Sequence, residues 1–220
     1  MTLATIQIDI QDNPDCAVIW LHGLGANGHD FEPIVGELNL PATTKARFIF
    51  PHAPVQAVSL NNGMQMPAWY DLYGLDKDSK EDAIGIKKMS EEIDLLIAQE
   101  NDRGIRADKI VLAGFSQGGA LTLYSGLNHT QRLAGLVALS CYLPVREQLQ
   151  NYAQDTSRDL PIFMAHGNYD DVVPLAFASI AKDLLSAEGF KIDWHEYACA
   201  HTVSAEEIQN IRKFLLRCWQ

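Results

Sequence analysis

The chain has 220 residues, of which 47 % are hydrophobic and 20 % are charged. This length and composition predict one globular domain over residues 1–220 and exclude a disordered, collagen-like or coiled-coil protein. With 17 basic residues against 28 acidic ones, the formal net charge is −11. That charge argues against binding to nucleic acid and against docking on an anionic membrane.

Targeting signals and metal-ligand patterns are missing from the sequence. No basic region followed by an apolar stretch opens the chain, and no apolar run reaches about 18 residues, so we expect no signal peptide and no stable membrane anchoring. The four cysteines lack metal-ligand spacing and are expected to be reduced and mostly buried: Cys16, Cys141, Cys199 and Cys218. The expected location is the cytoplasm.

Short apolar runs alternate with helical patterns along the chain. The runs that predict strands are Ala17–Leu21, Arg47–Phe50, Ile110–Ala113, Leu136–Leu139 and Ile162–Ala165, followed by the strand-like Lys191–Tyr197. Helical patterns cover Phe31–Leu38, Ala83–Gln99, Gln117–Leu127, Pro174–Ala187 and Ala205–Leu216. Because most of these strands are apolar throughout, they predict an α/β fold, in which helices cover both faces of a mainly parallel central sheet.

A G-x-S-x-G motif, Gly114 to Gly118, lies between one of these strands and a helix rich in small residues. This setting is typical of a nucleophile elbow, in which the serine occupies a strained turn. The two glycines would prevent collisions where strand and helix come close together. The motif therefore predicts that Ser116 is a nucleophile; the alternative is an ordinary strand–turn–helix junction without chemistry.

A nucleophilic serine needs a histidine base, which in this type of fold follows it in the chain. His201 is the favoured base because it lies in the loop between the last strand and the final helix, where open α/β sheets build their sites. His166, at the end of a strand, is the alternative. His195 lies within a strand and is expected to be structural.

A carboxylate should hold the base in the correct tautomer. Asp170 and Asp171 both stand just before a helix that begins near Pro174. One of them would accept the proton of His201, and the other would cap the helix or remain solvated. The spacing leaves the choice open.

An oxyanion hole requires two backbone N–H donors. Gln117, directly after the nucleophile, is expected to provide one of them. The glycine-rich stretch after the first predicted strand, His22-Gly-Leu-Gly-Ala26, is expected to provide the other from Leu24. Read alone, that stretch is equally typical of an ordinary turn.

Five motifs, read together, resemble the carboxylesterase/lysophospholipase/acyl-protein thioesterase family of small α/β-hydrolases. They are HGLGANGHD at 22–30, FPHAP at 50–54, GMQMPAWYD at 63–71, GFSQGG at 114–119 and HGNYDDVVP at 166–174. The resemblance extends from about residue 15 to the C-terminus. It implies an α/β-hydrolase fold without a large lid, often found as a homodimer.

The resemblance also assigns site residues: Ser116 as nucleophile, Asp170 as acid, His201 as base, and Leu24 and Gln117 as oxyanion donors. It favours Asp170 over Asp171 because the family's acid stands four residues before the proline that corresponds to Pro174. One position departs from the family, since Ala200 stands where a glycine usually precedes the base. A positive φ there would be costly for alanine.

The segment Ser59–Gly74 is too apolar for an ordinary surface loop. We expect five of its side chains to form an adaptable wall for an acyl chain: Met64, Met66, Trp69, Leu72 and Tyr73. The alternative is a satellite core cluster that covers the edge of the sheet. No cluster of basic residues is present, so uncharged esters or thioesters are favoured over strongly anionic substrates.

The function predicted from these features is that of a serine hydrolase that cleaves carboxylic esters, and also thioesters or lysophospholipids, through an acyl-enzyme on Ser116. Its partner is a small-molecule acyl ester or thioester, and no metal or organic cofactor is needed. Two alternatives remain. The first is a peptidase or lactone hydrolase on the same fold, and the second is a catalytically inactive α/β-hydrolase that acts as a binding protein.

Overall fold

The computed structural model describes residues 3–74 and 79–220. The strands, in chain order, are β1 (Thr5–Asp9), β2 (Cys16–Leu21), β3 (Ala46–Pro51), β4 (Val55–Val58), β5 (Met64–Pro67), β6 (Ile110–Phe115), β7 (Gly135–Leu139), β8 (Ile162–Gly167) and β9 (Ile192–Tyr197). The α-helices are α1 (Ile34–Glu37), α2 (Ala83–Asp102), α3 (Gln117–Asn128), α4 (Leu149–Tyr152), α5 (Leu175–Ala187) and α6 (Ala205–Cys218). Short 3-10 turns occupy Gly28–Asp30, Ser59–Asn61, Ala107–Lys109, Arg146–Gln148 and Asp155–Ser157.

A seven-stranded sheet has the order β1-β3-β2-β6-β7-β8-β9. All its neighbouring strands run parallel except β1, which pairs antiparallel with β3 from Thr5 opposite Pro51 to Asp9 opposite Arg47. A separate antiparallel hairpin joins β4 to β5. The predicted mainly parallel sheet is therefore confirmed, with one antiparallel edge strand that the sequence did not reveal.

The central strands are apolar throughout because both faces of the sheet are covered. Every residue of β2, β7 and β8 is buried. Alternate residues of β2 point to opposite sides: Ile19 joins the core formed with α2, α3 and α5, and Val18 joins the core formed with α1 and α6. Since successive side chains of a strand point to opposite faces, these two cores confirm the prediction of helices on both faces.

The helix boundaries follow local signals. Asp82 caps α2 by accepting a hydrogen bond from Gly85 N at 2.9 Å. At α6, Ser204 Oγ accepts from Glu207 N and Glu207 Oε2 accepts from Ser204 N, both at 3.2 Å, which forms a capping box. The helix predicted for residues 31–38 is shorter and covers Ile34–Glu37. None of the helices in the described ranges is long and apolar enough to cross a membrane.

Glu207 makes the stability of the fold depend on pH. Its side chain is 1 % exposed, and its Oε1 has no hydrogen-bond partner in the described structure. Burial raises the pKa of the Glu207 carboxyl from 4.5 to about 7. A carboxyl whose pKa is raised by folding favours the native state fully below about pH 4.5, and this contribution is lost as the pH rises through about 7.

We therefore expect Glu207→Gln to gain stability relative to the unsubstituted chain between pH 5 and pH 8, by up to about 3 kcal/mol. Glutamine keeps an acceptor for Ser204 N without an ionisable group. Urea unfolding at the two pH values measures the change in stability. Glu206→Gln is the control, because Glu206 is the neighbouring residue in sequence and is exposed. An unchanged pH dependence in Glu207→Gln would show that this carboxyl is not the group responsible.

Candidate active site

The predicted site residues follow the carboxyl ends of four parallel strands of the sheet. Leu24 comes after β2, Ser116 after β6, Asp170 after β8 and His201 after β9. The carboxyl ends of parallel strands lie along the same edge of a sheet, where open α/β folds build their sites. The topology alone therefore places these residues along one edge.

Ser116 has φ 55° and ψ −120°, a backbone conformation that non-glycine residues rarely adopt. Its N–H donates to Leu139 O at 2.9 Å, and its carbonyl accepts from Ala120 N at 3.0 Å. These bonds join the turn to the end of β7 and to the first turn of α3. The strained turn predicted for Ser116 is therefore confirmed.

Two glycines allow the close approach of strand and helix at this turn. A Cβ on Gly114 would collide with Gly118 O, and a Cβ on Gly118 would collide with Leu21 O. The backbones of β6, α3 and the end of β2 are thus in direct contact around Ser116. The prediction that these glycines prevent collisions between strand and helix is confirmed.

Asp170 and His201 are hydrogen-bonded, with 2.6 Å between Asp170 Oδ2 and His201 Nδ1. Asp170 Oδ1 accepts from Val172 N at 3.0 Å and from Val173 N at 2.8 Å, so the carboxylate is fixed by its own turn. Its side chain is completely buried, whereas Asp171 is exposed. Because a carboxylate only accepts, Nδ1 carries the proton and His201 Nε2 is left with its lone pair.

The imidazole of His201 lies against the turn that carries Ser116. Its ring centroid is 4.6 Å from that of Phe115, the residue before Ser116. Among the described residues, no hydrogen bond joins Ser116 Oγ to His201 Nε2. Bonds between a nucleophile and its base are often long before substrate binds. The structure thus brings Asp170 and His201 into direct contact and places the imidazole beside the turn that carries Ser116.

The backbone N–H groups of Leu24 and Gln117 donate no hydrogen bond within the described part of the chain. Gln117 is the first residue of α3, where N–H groups lack helical partners and attract negative charge. A Cβ on Gly23 would lie 3.6 Å from Ser116 Cβ, so the loop that contains Leu24 reaches the serine. Both N–H groups are available to an oxyanion near Ser116.

Two other histidines are held by hydrogen bonds away from the serine. His166, the alternative base, is completely buried, and burial lowers the pKa of its imidazole. His166 Nε2 donates to Val173 O at 2.7 Å and lies 3.3 Å from Asp170 Oδ2, so it borders Asp170 and is too deeply buried to reach a substrate. His195 lies in β9, 2.8 Å from Asp193 Oδ1, as expected of a structural residue.

The loop before His201 does not require a glycine at position 200. Ala200 is absent from the residues with positive φ in the described structure. The close backbone contact is instead made by Gly167, where a Cβ would collide with the carbonyl of Cys199 and meet that of Ala200 at 2.5 Å. The departure from the family at this position therefore leaves the loop unstrained.

Two of the five residues predicted to form an acyl wall are buried instead. Trp69 is 1 % exposed and belongs to the main core, and Leu72 is 9 % exposed and packs with Val58 and Ala68 in a small cluster. The wall was the wrong prediction for Trp69. Leu72 packs in the satellite cluster that was the alternative, and it also lines the cavity next to this segment. Their apolar character alone could not distinguish a wall from a core. Met64 and Tyr73 are exposed and Met66 is half-buried.

A cavity of about 310 Å³ lies next to this segment. Its lining includes the apolar groups of Tyr70, Leu72, Tyr142, Phe177 and Ala181. Tyr70 O accepts a hydrogen bond of 2.8 Å from Gln117 Nε2, which links one lining residue to the first residue of α3. Ser116, Gln117 and His201 do not themselves line the cavity, and charged side chains such as Glu81 and Arg146 line part of it. Tyr142 and Phe177 were missed because they are far apart in the sequence and no local pattern marks them.

No group of three or more histidine, cysteine, aspartate or glutamate side chains among the described residues is arranged to hold a metal ion. The cysteines are free: Cys16 and Cys141 are buried, and Cys199 and Cys218 are half-buried. The chemistry that the edge of the sheet offers is therefore that of a serine, an imidazole fixed by a buried carboxylate, and two unused N–H donors.

Comparison with known proteins gives a consistent result. Residues 4–219 match the phospholipase/carboxylesterase family. Acyl-protein thioesterase 1 of Yarrowia lipolytica is 38 % identical over 203 residues, which cover 90 % of this chain and 89 % of that protein. The crystal structure of Zea mays acyl-protein thioesterase 2 superimposes with a TM-score of 0.88 at 28 % identity and covers 99 % of both chains. The Bacillus cereus carboxylesterase, at 19 % identity and a TM-score of 0.77, shares the fold and covers 98 % of this chain and 94 % of its own.

Proposed function

The chain belongs to the phospholipase/carboxylesterase family and is a serine hydrolase of esters or thioesters, and we propose that its reaction passes through an acyl-enzyme on Ser116. His201 is the base and Asp170 the acid that orients it. The observation that carries this assignment is the 2.6 Å hydrogen bond between the buried Asp170 Oδ2 and His201 Nδ1, at the edge of the sheet where Ser116 occupies its strained turn.

The reaction begins when His201 Nε2 takes the proton of Ser116 Oγ and the oxygen attacks the acyl carbonyl carbon. The resulting oxyanion accepts hydrogen bonds from the N–H groups of Leu24 and Gln117. As the tetrahedral intermediate collapses, the bond to the alcohol or thiol breaks, and that group takes the proton from His201. Asp170 keeps Nδ1 protonated throughout, so Nε2 can first accept and then donate.

Deacylation repeats the same steps with water. His201 Nε2 takes a proton from the water molecule, whose oxygen attacks the acyl carbon bound to Ser116. Collapse of the second intermediate releases the carboxylic acid and returns the proton to Ser116. The two oxyanion donors serve both halves of the cycle, and no group beyond these five residues is required for the chemistry.

We propose an S-acylated protein cysteine as the substrate class, because curated relatives that cover most of this chain are named acyl-protein thioesterase 1. The cavity lined by Tyr70 and Leu72 would take the far end of the acyl group. Met66, whose Sδ lies 3.8 Å from the Cβ position at Gly25, would contact the part nearer the oxyanion loop, and the exposed Met64 and Tyr73 are proposed as further contacts. The cavity volume of about 310 Å³ is at the lower end of the usual range for ligand pockets. This size favours acyl chains of intermediate length.

A panel of acyl thioesters and matched oxygen esters, from about two to sixteen carbons, tests this proposal. We expect kcat/KM to rise with chain length, to fall before the longest chain, and to be higher for S-acylated peptides than for peptide amides. Cleavage of amides or lactones without cleavage of thioesters would favour a peptidase or lactone hydrolase instead. An intact protein that cleaves none of these substrates would favour a binding protein.

Three further expectations stay predictions. The reducing cytoplasm is supported by the four free cysteines. A homodimer is supported by the exposed apolar side chains of Tyr169 and Val172 beside Asp170. The organisation as one domain is supported by the seven-stranded sheet, whose strands span residues 5–197.

A further inference from the structure

We propose that Trp69 is a positioning residue that fixes the distance between the two oxyanion donors, an inference that rests on the proposed function. Trp69 is buried, yet both its N–H groups are bonded to the segments that carry those donors. Its indole Nε1 donates to His22 O at 2.8 Å, and its backbone N donates to Gln117 Oε1 at 3.0 Å. The loop after β2 and the start of α3 are thus linked through one side chain and its own peptide.

The His22 imidazole fixes the orientation of the first donor. His22 Nε2 accepts from Ala53 N at 3.1 Å, so the proton of this neutral ring lies on Nδ1, which donates to Gly23 O at 2.7 Å. Burial lowers the pKa of the His22 imidazole, in agreement with a neutral ring. Gly23 O and Leu24 N belong to the same trans peptide, so holding the carbonyl directs the Leu24 N–H to the opposite side.

The second donor is oriented in the same manner. Ser116 O accepts from Ala120 N at 3.0 Å, and Ser116 O shares its peptide with Gln117 N. The side chain of Gln117 forms two further bonds, accepting from Trp69 N and donating to Tyr70 O at 2.8 Å. Each donor therefore has a fixed direction, and Trp69 sets the separation between the two peptides.

The indole N–H can be removed with little change in shape. Trp69→Phe keeps the backbone bond to Gln117 and most of the ring that packs on His22, with 4.8 Å between ring centroids. It deletes the bond to His22 O, which would let the loop containing Leu24 shift relative to α3. A donor displaced from the oxyanion position stabilises the transition state less, while binding of the ground-state substrate is hardly affected.

The chain offers a matched control in Trp20. Its side chain is completely buried in the opposite core, stacked on Phe31, and its indole Nε1 has no partner in the described structure. Trp20→Phe thus removes a buried indole N–H that forms no hydrogen bond in the described structure. A general effect of shrinking a core tryptophan should appear equally in both variants.

We expect Trp69→Phe to lower kcat about 10- to 100-fold with KM within about threefold of its original value. The inhibition constant of an alkyl trifluoromethyl ketone, whose adduct with Ser116 places an oxyanion in the hole, should rise by a similar factor. Trp20→Phe should change neither quantity. Gln117→Met removes the side-chain bonds to Trp69 N and Tyr70 O but keeps the backbone donor, so it should reproduce the effect. If Trp69→Phe does not fold, unchanged kcat and inhibitor affinity in Gln117→Met overturn the inference.

Unchanged kcat and inhibitor affinity in a folded Trp69→Phe protein would overturn the inference. An equal loss in Trp20→Phe would do the same. Labelling by a fluorophosphonate distinguishes this failure from failure of the proposed function. If Ser116 is labelled in the unsubstituted chain and in Trp69→Phe alike, with equal rates, only the role of Trp69 is wrong; if Ser116 is never labelled, the proposed mechanism is wrong.

Discussion

Replacing Ser116 by alanine is expected to lower kcat for thioester hydrolysis at least about 10⁴-fold, which corresponds to about 5 kcal/mol of lost transition-state stabilisation. The substitution removes the nucleophilic oxygen and leaves the two oxyanion donors in place. Alanine meets the same positive φ as serine, so the turn keeps its strain and the fold should be retained. Initial rates with one thioester at saturating concentration measure the effect.

Ser140 is a matched control for this substitution. It is a buried serine just after β7, with φ 47°, and its Oγ has no partner among the described residues. Ser140→Ala therefore tests a hydroxyl in a similar backbone setting at the next strand. It should keep kcat within about twofold. Comparable activity in Ser116→Ala and Ser140→Ala would remove Ser116 from the mechanism.

The second large effect is expected for Asp170→Asn, which should lower kcat about 10³- to 10⁴-fold. Two backbone N–H groups, of Val172 and Val173, donate to Oδ1, so they would hold the amide oxygen there and leave the amide NH₂ facing His201 Nδ1. Nδ1 would then have to accept, and the proton would move to Nε2. In that tautomer the imidazole has no lone pair for Ser116.

Asp171→Asn is the control, since Asp171 is adjacent in sequence and exposed. The Asp171→Asn variant should keep the kcat of the unsubstituted chain. In Asp170→Asn the KM should stay close to that of the unsubstituted chain, because the proposed acid does not contact substrate. The steady-state parameters of the two variants, compared at one pH, give the result. Equal losses in both would point to a general effect of charge.

The choice between Asp170 and Asp171 shows why spacing alone was insufficient. Both carboxylates precede Pro174 and both are suited to a helix start. The turn after β8 distinguishes them. In this turn Asp170 Oδ1 accepts hydrogen bonds from the backbone N–H groups of Val172 and Val173. Asp170 Oδ2 is hydrogen-bonded to His201, which lies 31 residues further along the chain. That long-range contact depends on β8 and β9 being neighbours, which no local pattern records.

The parts of the fold that the sequence predicts best are those in which burial is uniform. Strands such as β2 and β8 are apolar at every position because helices cover both faces, so their pattern is unmistakable. β1 is a partly exposed edge strand, and β4 and β5 form a short hairpin in which every residue except Val58 is exposed or half-buried. Their weaker patterns do not predict strands.

Trp69 illustrates a different difficulty. An aromatic residue in an apolar loop is equally compatible with a ligand wall and with a core. Its distances to the neighbouring side chains decide between the two, and the sequence does not contain those distances. The structure places its two N–H groups on His22 and Gln117, so a residue expected to contact substrate instead connects the two segments around it. The predicted nucleophile and donors required no such distances, because the glycines mark them locally.

The most direct test of the central assignment is intact-mass and peptide-mapping mass spectrometry after reaction with an alkyl fluorophosphonate, which transfers its phosphonyl group to an activated serine with loss of fluoride. We expect one added phosphonyl group per chain, located on the peptide that contains Ser116, and none in Ser116→Ala. Labelling at another residue, or equal labelling of Ser116→Ala, would contradict it.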